Sequence, residues 1–391
     1  MPMPGRQFVL AVFLVLSGSV LAAEPADIEP KILPGYSPVQ GDDEKGLWME
    51  MEEYEKAIRS SALLVKDPDL NSYVRNAACR VAGDYCRDLR VYLIRNPGFN
   101  ASMAPNGTMQ VWTGLLLRVS SEDEMATVLG HELAHYTRLH TLDRLRRIEA
   151  SLTAGSILDL GLAVFAGVPI PAGQMAAVAD AMAFSQQQEE EADLLGVRFM
   201  ADAEYDPHAS YQVWDMLVEE DEKAAAKRQK PGIFSKTHPD SPERAKTLRQ
   251  YVDAHYGSFP EDKNGRARHV EILNRHYMLL MEDQIDTNRF GRTRAMLERH
   301  AEIGVNKGLV DFFYGEMYRQ RDQSGDREKA KEAYLSAIQR GDPPPLAYRN
   351  LGYLYLKEHD MEHARTTLKQ YLLLDPDASD REMIEFYLEE E

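Results

Sequence analysis

The stretch VLGHELAHYTRLH, residues 128–140, sets His131, Glu132 and His135 in the order H-E-x-x-H. Two histidines four apart project from one side of a helix and can share an ion. The glutamate beside them is placed to take a proton from water rather than to bind metal. So short a pattern recurs by chance, and the rest of the chain has to supply a third ligand, a substrate path and a compartment. His140, nine residues after His131, falls on the opposite side of a continuous helix and is expected not to bind. A metzincin continuation needs glycine at 138 and histidine at 141; Arg138 and Thr141 exclude that class. The helix begins with a capping box, Ser121 with Glu124, and an acidic first turn, and carries an apolar face of Met125, Val128, Leu129 and Leu133.

A third donor is expected from a second long helix, about residues 176–203, whose QQQEEEAD run offers Glu189, Glu190, Glu191 and Asp193. Glu189 and Asp193 are four apart and share a face, so one can bind the ion while the other orients a ligand histidine. Helical geometry alone does not choose among the glutamates.

The whole chain sets the context. Its 391 residues accommodate two or three domains, and a composition of 44% hydrophobic and 28% charged residues is that of a globular protein. A formal net charge of −18 argues against general affinity for nucleic acid or anionic lipid. Residues 1–23 have the layout of a cleaved secretory signal: Arg6, an apolar run from Phe8 to Val20, then Ala22 and Ala23 as the expected cleavage region. An exported chain meets an oxidising compartment, so Cys79 and Cys86 are expected to pair, with Gly83 and Asp84 ending a helix between them; two buried thiols are the alternative.

Residues 24–44 read as an extended leader and residues 47–80 as helical, broken at Asp67. LRVYLIRN (89–96) reads as a strand, and NASMAPNGTMQVWTGLL (100–116) as a hairpin about Pro105, Asn106 and Gly107. The expected fold is mainly α with a small antiparallel β-sheet. Residues 154–178 are apolar but interrupted by Gly167, Pro169 and Pro171, which suits a helical hairpin better than a membrane span. From residue 301 two similar segments follow, with Gly352, Tyr355, Ala364, Leu368, Tyr371 and Pro376 at tetratricopeptide-repeat spacing. The earlier copy has Gly315 and Tyr318, then Ala330, Tyr334 and Ala337 after a shift of three residues at DQSGD. Residues 257–300 are expected to connect the halves or to hold a degenerate helix pair.

Three of these segments together resemble a zinc metallopeptidase family that includes the CAAX prenyl proteases, HtpX and the periplasmic BepA-type proteases. In that family the third ligand is the first glutamate of S-R-x-x-E-x-x-A-D, which maps onto Ser185, Glu189, Ala192 and Asp193, with Gln186 in place of the usual arginine. The resemblance implies one Zn2+ per chain on His131, His135 and Glu189, with Asp193 behind them. It also implies that Met109, Gln110, Val111 and Trp112 form a substrate edge strand that pairs with an extended peptide. THPDSPERAKTL (237–248) is similar to the family's T-H-P-x-x-x-x-R element. His238 would then approach the ion or the transition-state oxyanion, and Arg244 would help hold it or the substrate.

The resulting expectation is a gluzincin-type protease domain over 45–256, followed by a TPR-like α-solenoid over 301–391. It would be a periplasmic endopeptidase that cleaves unfolded or misassembled exported proteins. The repeats would seat partners such as the outer-membrane assembly machinery and lend chaperone-like binding. Peripheral membrane contact is compatible with this; nucleic acid is not expected. The alternative is an adaptor or chaperone in which the repeats act and the zinc site is restrained.

Overall fold

The computed structural model describes residues 28–38, 43–151, 183–224, 234, 237–238, 242–259, 263–341 and 343–389. The expected signal segment and the apolar 154–178 segment lie outside the described residues.

Helices α1 (Asp43–Ser60) and α2 (Pro68–Ala82) open the fold. Asp67 caps α2 by accepting from Leu70 N, and Pro68 suits the first turn. Gly83, at φ 53°, ends α2 in a conformation that disfavours any side chain, and a 3₁₀ turn (Gly83–Asp88) folds the chain back. That reversal brings Cys79 and Cys86 to a Cα separation of 4.6 Å, joined by the expected disulfide.

Strands β1 (Arg90–Ile94), β2 (Ala101–Met103) and β3 (Thr108–Trp112) form one sheet in the order β1-β3-β2. The hairpin forms as expected, but the sheet is mixed rather than antiparallel, since β1 runs parallel to β3. The cause is the linker after β1. Asn96 O accepts from Gly114 N at 2.8 Å, and a Cβ on Gly114 would stand 2.3 Å from the backbone of Pro97 and Gly98. Glycine at 114 therefore lets the linker cross the end of β3 and deliver β2 to its far side.

This order overturns the assignment of Met109, Gln110, Val111 and Trp112 as an edge. They lie in the central strand, with backbone ladders on both sides. Among the described residues β2 pairs on one side only, with β3, while the outer side of β1 carries a single bridge from Leu64 to Ile94. Trp112 N donates to Asn100 O and Ala104 N to Thr108 O. The alternation of an antiparallel ladder then turns the backbone groups of Ala101 and Met103 outward.

Helix α3 (Thr113–Arg118) continues β3 without a loop, and α4 (Glu122–Thr137), capped by Ser121, packs beside β2. Among the described residues, helices α5 (His140–Ser151), α6 (Gln186–Asp202), α7 (Ala209–Ala224) and α8 (Pro242–His255) follow in the first half. Ser185 and Gln188 cap α6 reciprocally, which fixes where the helix carrying the glutamate run begins.

The second half is helical throughout: α9 (Lys263–Asp286), α10 (Phe290–Ile303), α11 (Lys307–Arg321), α12 (Asp326–Gln339), α13 (Pro345–Lys357), α14 (Met361–Leu374) and α15 (Arg381–Glu389). Within the hairpins the small residues permit close approach: a Cβ on Gly315 would meet the Tyr334 ring at 2.4 Å, and one on Gly352 would meet Leu368 at 2.6 Å. The two pairs differ in spacing by three residues, the shift that DQSGD introduces. One core runs from Leu273 through Tyr334 to Ala364, so α9 and α10 belong to this stack, and it takes in Leu117 of α3. No helix among the described residues is long and apolar enough to cross a membrane.

His269 and His300 of this stack are fully buried, and burial lowers their pKa values to about 4 and about 3 from an ordinary 6.5. The unfolded chain takes up their protons below about pH 6.5 while the folded chain does not, so the stability they confer is present above that pH and lost as it falls toward 4. Replacing either by glutamine is expected to flatten the stability–pH curve there, by up to about 1.4 kcal/mol per pH unit for each residue. Denaturant unfolding at pH 7, 6 and 5 measures it.

Candidate metal centre

The site forms where α4 crosses α6. A Cβ on Gly130 would stand 2.9 Å from Gly196 O, and one on Gly196 would stand 2.9 Å from His131 N. Only two glycines allow backbones so close. On α6, Glu189, Asp193 and Gly196 fall at i, i+4 and i+7 on the face turned to α4. The glycine contact therefore sets both carboxylates against His131 and His135.

Four buried side chains, His131, His135, Glu189 and His238, each offer a donor atom within 4.8 Å of the others. His131 Nε2 and His135 Nε2 are 3.1 Å apart. Glu189 Oε2 lies 3.5 Å from the former and Oε1 lies 3.6 Å from the latter. Zinc–nitrogen bonds of 2.0–2.1 Å in a tetrahedron would place two ligand nitrogens about 3.3 Å apart.

The groups behind the rings establish which nitrogens face inward. His131 Nδ1 lies 3.0 Å from Asp193 Oδ1. A carboxylate can only accept, so a proton on Nδ1 suits this contact and leaves the Nε2 lone pair to face the cluster. His140 Nε2 lies 3.1 Å from Glu191 Oε2, and His140 Nδ1 lies 3.1 Å from His135 Nδ1. By the same rule His140 accepts the His135 Nδ1 proton, and the His135 Nε2 lone pair also turns inward. Two lone pairs aimed at each other across 3.1 Å repel unless a cation stands between them. This donor set fits a metal ion.

Electrostatics agree. Burial opposes charging of His131, but Asp193 and Glu189 outweigh it and raise its pKa to about 9. Burial holds His135 well below its ordinary value. Glu189 is held well below the carboxylate range: burial opposes this, but His238, His131 and His135 dominate. Without metal, the cluster thus draws in a proton where the cation would stand.

The structure brings His131, His135 and Glu189 together, with Asp193 behind His131. His140 does not lie on the far side of a continuous helix. The helix ends at Thr137, and left-handed Leu139, at φ 62°, folds His140 back against His135. Arg244, expected at the oxyanion or substrate, instead stands behind the ligands. Its guanidinium holds Asp193 through two bonds of 2.8 and 2.9 Å, reaches Glu189 Oε2 at 2.8 Å and stacks on Trp214 at 4.4 Å. His238 stands inside the cluster, with Nδ1 3.1 Å from His131 Nε2 and Nε2 3.3 Å from Glu132 Oε1.

The sequence reading missed Phe184, stacked on His135 at 3.8 Å, and the pair Gly130 and Gly196. A glycine on the ligand face of each helix was the available signal for the latter.

Residues 65–252 match the model of Peptidase family M48. The chain is 27% identical over 277 residues to the beta-barrel assembly-enhancing protease of Escherichia coli K12, covering 66% of this chain and 55% of that one. Against the corresponding protein of Yersinia pestis it is 28% identical over 197 residues, covering 48% and 40%. Against the mitochondrial metalloendopeptidase OMA1 of Arabidopsis thaliana it is 33% identical over 160 residues, covering 41% and 31%. The chain spans about half the length of the assembly-enhancing proteases it matches.

Replacing His140 by alanine is expected to weaken metal binding about 10- to 100-fold, because His135 loses the group that fixes its tautomer. Competition with a chromogenic chelator reads the change directly; unaltered affinity would leave His140 without this role.

Proposed function

We propose that this chain, which carries a Peptidase family M48 domain, is a zinc-dependent endopeptidase of the cell envelope acting on misfolded or stalled β-barrel and other exported proteins. The convergence of two imidazole lone pairs and Glu189 on one buried point carries the reading. Bound there, zinc would polarise a peptide carbonyl and acidify a water molecule towards a pKa of about 7.

This chain's own residues supply the rest. Glu132, buried between His131 and His238, accepts the water proton and passes it to the leaving amine nitrogen. Burial raises its carboxyl above the ordinary value, against the opposing pull of His238 and His131, which strengthens it as a base. An extended peptide would pair with the outward N–H and C=O of Ala101 and the N–H of Met103 on β2, the strand packed against α4. Thr141 Oγ1 already binds Met103 O at 3.2 Å, so α5 would steady that edge. The compartment and the β-barrel substrates are read from the signal-like N-terminus and from the names of the relatives, and the helical hairpins after residue 300 are the expected seat of partners.

A second reading has its own support. Hydrolytic zinc sites keep one position open, whereas this cluster numbers four donors with His238 included. Under that reading the site is restrained and the helical half does the work as an adaptor or chaperone.

Two variants separate these. Glu132→Gln is expected to keep stoichiometric zinc while cleavage of an unfolded outer-membrane β-barrel protein falls by about 10²–10⁴-fold. Full cleavage by that variant would remove Glu132 as the base, and no cleavage by the zinc-loaded wild type would favour the adaptor. His238→Ala is expected to raise cleavage where His238 restrains the site, and to lower it where the ring stabilises the oxyanion.

A further inference from the structure

The last turn of α3 is held from outside the helix. In so short a helix most carbonyls have no intrahelical partner. Three of them accept from side chains of α9 and α10. Leu116 O accepts from His269 Nε2 at 3.1 Å, Leu117 O from His300 Nε2 at 2.6 Å, and Arg118 O from Arg299 Nη1 at 3.1 Å.

Because a carbonyl can only accept, both histidines carry their proton on Nε2, and Nδ1 becomes the acceptor. Each Nδ1 is met by a tyrosine hydroxyl: Tyr73 of α2 at 2.9 Å for His269, and Tyr277 of α9 at 2.6 Å for His300. Two parallel relays, each tyrosine to histidine to carbonyl, therefore end on adjacent residues of α3. Burial keeps both rings neutral, so the relays persist across the neutral pH range.

What they hold matters because of where α3 sits. It continues β3 with no intervening residue, and β3 carries β2, whose outer edge is the peptide track proposed above. On its other side Leu117 is buried in the core that runs through α9 to α14. Arg118 extends the attachment, bonding Glu220 of α7 at 3.0 Å and Gln284 of α9 at 3.3 Å. A bidentate Arg95–Asp283 pair ties the residue following β1 to α9 as well.

We propose that α3 is the joint through which the helical C-terminal half positions the substrate edge, with His269 and His300 as positioning residues that act through the α3 carbonyls. The proposal rests on the reading of the β2 edge as the peptide track. It follows that loosening the joint weakens peptide binding and leaves the chemistry at the metal unchanged, since neither histidine touches the cluster.

Amide hydrogen exchange of the metal-free full chain, together with steady-state cleavage of an unfolded β-barrel protein by the zinc-loaded chain, tests this. His300→Leu leaves Leu117 O buried without its donor. Exchange across residues 100–118 is then expected to rise about tenfold, and KM severalfold, with kcat unchanged within about twofold. His300→Gln, whose amide can stand where Nε2 stood, is expected to restore most of both. Should the leucine variant fail to fold, Tyr277→Phe and Tyr73→Phe decide the matter, since each removes one hydroxyl and little volume; both are expected to shift exchange in the same direction by less. Wild-type exchange across 100–118 in all these variants would overturn the proposal. A rise spread equally over residues 43–60, which hold no member of either relay, would do so too, making the histidines mere parts of the fold. If wild type cleaves nothing, the hydrolase reading fails, while the exchange measurement still decides the joint.

Discussion

Two imidazole nitrogens, His131 Nε2 and His135 Nε2, face each other across 3.1 Å with their lone pairs inward, and Glu189 closes on both. No neutral arrangement of these three groups is comfortable in a buried site, because neither ring can donate to the other while Asp193 and His140 hold the protons behind them. A cation resolves the conflict. The rest of the first half follows from making that meeting happen: Gly130 and Gly196 let α4 and α6 touch, and Arg244 binds Asp193 and Glu189 together. Left-handed Leu139 returns His140 to the back of His135.

The same geometry joins the site to its surroundings in two directions. Towards β2, α5 reaches the strand edge through Thr141 one residue after His140, so the group that fixes the His135 tautomer is next in sequence to the group that steadies the edge. Towards α8, His238 contacts His131 through one ring nitrogen and Glu132 through the other. A single side chain thus touches both His131 and the proposed base, and its position would decide whether a bound ion keeps a place open.

Much of this was legible in the sequence where the determinants are local. The H-E-x-x-H helix, its Ser121 cap, the break at Asp67, the hairpin and the disulfide each depend on residues within about ten positions of one another. Glu189 was legible only by resemblance, because helix geometry left three adjacent glutamates open. The failures each turned on a crossing of elements or on a chain reversal. The sheet order depends on a linker passing over Gly114, the place of His140 on one non-glycine residue in the left-handed region, and the side on which Arg244 lies on how α8 packs against α6. None of these leaves a periodic or compositional trace. Gly130 and Gly196 did leave one, as small residues on the ligand faces of two helices.

The most direct test of the shared-ion account is X-ray absorption at the zinc edge on the loaded full chain, beside metal analysis of the same sample. One zinc per chain is predicted, bound only by nitrogen and oxygen, with multiple scattering from at least two imidazoles and loss of binding in Glu189→Gln. Failure to retain stoichiometric zinc, or a spectrum unchanged by that substitution, would contradict it.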